Sequence, residues 1–113
     1  MNSRIASGIL ANSLIRSAYA AGGSAAVLAK GDATSGAILL ITAEKGVIRG
    51  LLERIYDREG RASWTPKSRE LIENKEKLNE YIARERRRDP DMWVIELDVP
   101  NVERFTAELA TGD

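Results

Sequence analysis

The spacing of apolar residues changes along the chain, and each change marks an element. Ile5, Ile9, Asn12 and Arg16 follow one helical line, with Ala6, Leu10, Ser13 and Ser17 beside it. Leu10, Leu14, Ile15, Ala18 and Tyr19 form a broad apolar face, so the chain is expected to open with an amphipathic helix. Ser3 can cap its start, and Gly22-Gly23 supplies a left-handed stop. Residues 24–29 are then small and apolar, and residues 37–42 (AILLIT) are an unbroken apolar run. Such a run fits a central strand covered on both faces. Between the two runs, Lys30-Gly31-Asp32-Ala33-Thr34-Ser35-Gly36 is dense in turn formers, which predicts a hairpin.

Val47–Tyr56 reads two ways. Ile48, Leu51, Leu52 and Ile55 recur at helical spacing, whereas the flanking turns at 44–46 and 57–60 favour a strand, with Gly50 at a bulge. The strand is the preferred reading, with residues 61–65 and Trp64 as its hairpin partner. Pro66 ends that partner. From Lys67 to Arg88 the spacing predicts one helix, with Leu71, Leu78 and Ile82 on a stripe and Ile72 and Tyr81 beside it. Glu73/Lys77 and Glu80/Arg84 are favourable i,i+4 pairs. Asp89-Pro90-Asp91 stops the helix, because a residue before proline avoids helical backbone. Trp93, Ile95, Leu97 and Val99 alternate with Val94, Glu96 and Asp98, the cleanest strand pattern in the chain. Pro100-Asn101 opens a last helix carrying Val102, Phe105 and Leu109.

The expected order is α-β-β-β-β-α-β-α. It describes an α+β fold: an antiparallel sheet of about five strands with helices at the N-terminus, between strands four and five, and at the C-terminus. Strands joined by hairpins place those helices on one face of the sheet. At 113 residues the chain suits a single domain.

Composition removes several chemistries. With no Cys there is no disulfide, thiolate nucleophile or iron–sulfur cluster, and with no His the serine and cysteine triads and the usual zinc set are missing. No metal and no cofactor is expected. General acid–base work would fall to Asp, Glu, Lys or Tyr, and no pair of these has diagnostic spacing. The enzyme reading is therefore the weaker one. Equal numbers of cations and acids, 17 of each, remove the simplest case for nucleic acid.

The start of the chain has a second reading. Its first 31 residues hold Arg4, Arg16 and Lys30 and no acid, and Ala18-Tyr19-Ala20 has the form of a cleavage site. Ser7, Gly8, Asn12 and Ser13 dilute the apolar stretch, and Arg16 stands before the cut. An intact helix in a cytoplasmic protein is preferred over an exported one with residues 1–20 as signal peptide. No segment approaches the roughly 20 apolar residues of a membrane span.

Three charged segments could carry binding chemistry. Arg84-Glu85-Arg86-Arg87-Arg88 could grip phosphates, but cations at a helix end also complement its dipole. Asp89 and Asp91, with Glu96 or Asp98, could gather a hard cation, but Asp-Pro-Asp is ordinary turn chemistry. Lys30-Gly31-Asp32 with Thr34, Ser35 and Gly36 lacks the order of a phosphate loop, so Asp32 is expected to fold its carboxylate onto its own turn. Trp64 and Trp93 read as core residues.

The segment from Ala21 through Gly31-Asp32 to Leu40, and Arg87-Arg88-Asp89-Pro90-Asp91-Met92-Trp93-Val94-Ile95-Glu96, resemble a family of short alphaproteobacterial proteins, domain of unknown function 1491. The resemblance implies an intact N-terminal helix and a bacterial cytoplasmic protein. It implies no activity or catalytic residue. It draws attention to the two turns that carry it, making Lys30, Asp32, Arg88, Asp89, Asp91 and Trp93 the candidate binding surface.

Charge is unevenly spread. Residues 1–52 hold 5 cations and 2 acids, residues 53–88 hold 11 and 8, and residues 89–113 hold 1 and 7. A basic body thus meets an acidic end at Arg88-Asp89. The preferred expectation is a non-catalytic binding or interaction protein that associates with itself or with another protein. The competing expectations are a phosphate-binding enzyme using Lys30, Arg88, Asp89 and Asp91, and a nucleic-acid factor using Arg84-Glu85-Arg86-Arg87-Arg88.

Overall fold

The computed structural model describes residues 5–111. Its helices are α1 (Ser7–Ala20), α2 (Lys75–Arg88) and α3 (Val102–Thr111); its strands are β1 (Ser24–Ala29), β2 (Ile38–Glu44), β3 (Val47–Tyr56), β4 (Ala62–Pro66) and β5 (Trp93–Asp98). The element order is the one read from the sequence, and the strand reading of Val47–Tyr56 holds. All five strands join one sheet in the order β1-β5-β2-β3-β4.

That order corrects the expected hairpin between residues 24–29 and 37–42. The last strand, β5, inserts between β1 and β2, antiparallel to the first and parallel to the second. Burial explains the exchange. In β5, Trp93, Val94, Ile95 and Leu97 are all buried, whereas β1 has exposed residues along most of its length. The doubly apolar strand takes the centre beside β2, and the small-residue strand is left at the edge. The sheet is mostly antiparallel, with the one parallel pair.

The helices cover both faces, not one. On the first face Leu14 and Ala18 of α1 and Val102 of α3 pack with Leu40, Leu52, Trp64, Ile95 and Leu97. On the second, Leu78 and Tyr81 of α2 pack over Leu39, Ile41, Leu51 and Val94. The cause lies in β2, whose first four residues, Ile38 to Ile41, are all apolar; one covered face would leave Leu39 and Ile41 in water.

α1 docks through Ser7, Ala11, Leu14 and Ala18; the small Ser7, Ala11 and Ala18 let the helix approach closely, and Leu14 fills the core. Ile9 and Tyr19 point outward, 62% and 59% exposed, so the apolar face is narrower than the spacing suggests. The helix begins at Ser7 without a side-chain cap; the Ser3 cap falls outside the described residues. Its end is a Schellman closure, with the Gly22 and Gly23 amides donating to Tyr19 and Ala18 carbonyls at 3.0 and 2.9 Å.

The single helix expected from Lys67 to Arg88 divides into a 3-10 turn, Arg69–Ile72, and α2. Each piece has its own cap. Ser68 Oγ accepts from the Glu70 amide at 3.2 Å, and Asn74 Oδ1 accepts from the Lys77 amide at 2.8 Å. Lys77 pairs with Glu73 at 3.5 Å, while Arg84 lies over the Tyr81 ring instead of pairing with Glu80. The bulge foreseen at Gly50 is present. Thr42 faces Gly50 and Ala43 faces Ile48, which leaves Arg49 as the extra residue. No helix among the described residues is long and apolar enough to cross a membrane.

Candidate functional site

The loop after β1 and the turn before β5 meet. A parallel β2–β5 pair brings the start of β5 beside the start of β2, so the chain segments entering both strands converge. There the Asp32 amide donates to the Asp91 carbonyl at 2.9 Å, and the Trp93 indole Nε1–H donates to the Asp32 carbonyl at 2.8 Å. The approach is close enough to demand glycine twice. A Cβ on either Gly31 or Gly36 would stand 2.1 Å from the Asp91 carbonyl oxygen, well inside contact distance. The N-terminus of α1 joins the same junction. Gly8 donates its amide to Ala33 at 2.7 Å, and the buried Ser7 hydroxyl donates to the Gly36 carbonyl at 2.5 Å.

Of the six residues singled out from the sequence, Asp32, Asp91 and Trp93 are brought into contact, largely through backbone. The Asp32 carboxylate folds onto its own turn as expected, accepting from the amides of Ser35 at 2.9 Å and Thr34 at 3.0 Å. Those two donors, Ser35 first, hold its pKa below the ordinary carboxylate value. Asp89 accepts from the Asp91 amide at 3.2 Å, an Asx turn. Arg88 turns back along α2 to Glu85 at 3.0 Å. Lys30 is exposed and makes no ion pair among the described residues. Asp98 is remote from Asp89, capping the Lys45 and Gly46 amides at 2.9 and 2.8 Å. Among the described residues no three acids gather as a metal site would require.

The basic run is partly used up inside the fold. Arg86 donates to the carbonyls of Pro90 at 2.6 Å and Met92 at 2.7 Å, closing the turn that leads into β5. With Arg84 over Tyr81 and Arg88 on Glu85, the guanidinia spread around the helix end and form no single patch.

The sequence of the chain matches the model of a family described as protein of unknown function (DUF1491) over residues 5–107. The chain belongs to the DUF1491 family. Solved structures of the family agree with the fold. A crystal structure of a DUF1491 protein from Caulobacter crescentus is 31% identical, covers 84% of this chain and 88% of its own, and gives a TM-score of 0.72. An NMR structure of a DUF1491 family protein from Caulobacter crescentus is 30% identical over 86% and 87%, with a TM-score of 0.73. The solution structure of protein Atu0922 from A. tumefaciens is 28% identical over 88% and 89%, with a TM-score of 0.69. No curated protein matches the chain significantly.

Two further features of this DUF1491 chain were not singled out from its sequence. The first is the free edge of β1, where Ala26, Val27 and Leu28 are exposed and no residue is charged. It was hidden because the expected hairpin gave β1 a different neighbour. The second is a cleft of about 390 Å³ at the opposite side of the sheet, bordered by Arg49, Lys67, Arg69, Glu103 and Thr106. The only sequence signal for it was the bulge at Gly50, whose consequence is to set Arg49 out of register.

Proposed function

We propose that this chain is a non-catalytic interaction protein of the cytoplasm that pairs with a second copy of itself along β1. The observation that carries the reading is the difference between the two sheet edges. β4 ends in Pro66 and is flanked by the charged Arg61 and Lys67, the usual protection against strand addition. β1 has neither proline nor charge within Ser24–Ala29, and Val27 and Leu28 are 43% and 52% exposed. A bulge at Leu28, where Val27 faces Ile95 and Ala29 faces Val94, confines the regular edge to residues 24–27.

An uncharged strand can pair antiparallel with its own copy about a two-fold axis. With the axis through Ala26 facing its own copy, the opposed residues of the two strands carry no charge. The place of α1 supports an uncleaved chain: Ala11, Leu14 and Ala18 lie in the first-face core, and removing residues 1–20 would take them away. The phosphate-binding and nucleic-acid readings have less support, since Arg86, Arg88 and Asp89 already hold intramolecular partners.

Sedimentation equilibrium of the full chain tests the proposal. A reversible dimer is expected, and Ala26→Lys or Leu28→Lys should return it to monomer with the urea midpoint unchanged. A wild-type chain that stays monomeric at high concentration sinks the reading, as does a dimer indifferent to both substitutions.

A further inference from the structure

The structure assigns a second, independent role to the cleft at the far side of the sheet: binding of a small organic anion, an apolar body bearing one carboxylate or phosphate group. The cleft exists because the strands differ in length. β3 has ten residues and β4 five, and β4 pairs only with the stretch of β3 from Leu52 onward. The chain then leaves the sheet, with the Lys67 amide held by the Leu51 carbonyl at 2.8 Å. The first half of β3, paired with β2 along its other edge, therefore has no strand on this side, and the space is walled by α3 on one face and the 3-10 turn on the other.

The lining separates by chemistry. Leu52, Ile72 and Val102 supply an apolar interior, and Arg49 and Arg69 stand at the border. Neither arginine makes an ion pair among the described residues. Lys67 adds no free charge, because Glu53 neutralises it at 2.7 Å. Glu103 is the one acid in the lining, so two unpaired guanidinia face a single carboxylate and the cleft keeps an excess positive charge. The amino end of α3 is not part of this excess, since Glu44 already accepts from the Asn101 and Val102 amides, both at 3.3 Å. Guanidinium forks suit carboxylate and phosphate oxygens, and a volume of about 390 Å³ lies within the range of small-ligand sites. A small body is favoured over a chain molecule because the space holds only about 390 Å³.

Amide chemical-shift titration of the full chain tests the assignment, using phenyl phosphate, phenylacetate, inorganic phosphate and the neutral benzyl alcohol as probes. Saturable shifts are expected at Gly50, Leu51, Arg69, Ile72 and Thr106. Saturation by phenyl phosphate alone assigns a phosphate ligand, by phenylacetate alone a carboxylate, and by both the shared chemistry. Benzyl alcohol and inorganic phosphate should each bind about tenfold more weakly or worse, since each lacks one half of the recognition. The double variant Arg49→Ala/Arg69→Ala, at two exposed positions, should weaken the charged probes by about tenfold or more while keeping the urea midpoint. Thr106→Trp should fill the cleft and abolish binding. No saturable shift with either aromatic anion at millimolar concentration, shifts centred elsewhere, or a smaller effect of the double variant overturns the assignment. Because β1 lies at the other edge, the dimer test and this one fail separately.

Discussion

The indole of Trp93 and the carbonyl of Asp32, 61 residues apart, meet in a 2.8 Å hydrogen bond. That bond joins the loop after β1 to the first residue of β5. Trp93→Phe keeps an aromatic ring in the core but removes the donor with part of the indole, leaving the Asp32 carbonyl without its partner. A loss of about 1–2 kcal/mol is expected in urea unfolding, larger than for a surface hydrogen bond. Trp64 remains as the fluorescent reporter of the transition.

Gly36→Ala tests the same junction by steric means. The new methyl would stand 2.1 Å from the Asp91 carbonyl oxygen and 3.0 Å from the Asp32 amide nitrogen, both backbone atoms that cannot turn aside. The loop must move off the turn, at a cost of about 3 kcal/mol or more. Denaturant unfolding gives the magnitude. Loss of amide protection at Asp32 would show that the loop is what yields.

Stability should respond to pH from opposite sides at two places. The Ser35 and Thr34 amides lower the pKa of Asp32, so its contribution is complete above the ordinary value of 3.8 and disappears as pH falls through the depressed one. Lys67 is the reverse case. Glu53 beside it raises its pKa above 10.5, so its contribution is present below that value and disappears as pH rises through the raised one. Asp32→Asn should flatten the acid limb of a stability–pH curve, and Lys67→Met the alkaline limb, each leaving the other limb alone.

The hairpin between β2 and β3 offers a gain. Lys45 and Gly46 both have positive φ, 52° and 79°, the pattern of a two-residue type I′ turn. Lysine tolerates that backbone poorly, whereas asparagine adopts it readily. Lys45→Asn should stabilise the protein by about 0.5 kcal/mol, read as a rise in the thermal midpoint, with the Asp98 cap on the Lys45 amide retained.

Local signals in the chain were reliable where neighbours in sequence decide the outcome. The alternation from Trp93, the unbroken apolar run in β2, the Asp-Pro-Asp stop and the inward fold of the Asp32 carboxylate all depend on nearby residues. Strand order was not legible, because the competition for the place beside β2 is settled by comparing β1 with a strand some seventy residues later. Gly31 and Gly36 show why the error was natural. They look like residues of a hairpin loop, but their purpose is close approach to the Asp91 carbonyl, a distant partner. The division of the long helix was within reach, since Ser68 and Asn74 are both good caps, yet an uninterrupted apolar stripe outweighed them. The cleft at Arg49 had only the bulge to announce it, as its depth follows from the unequal lengths of β3 and β4.

The insertion of β5 between β1 and β2 also sets a timetable for the molecule's birth. Ser24 pairs with Asp98, so the strand made first waits for one made some seventy residues later. The centre of the sheet therefore closes only once β5 has been made, and β1 waits until then without its lasting partner.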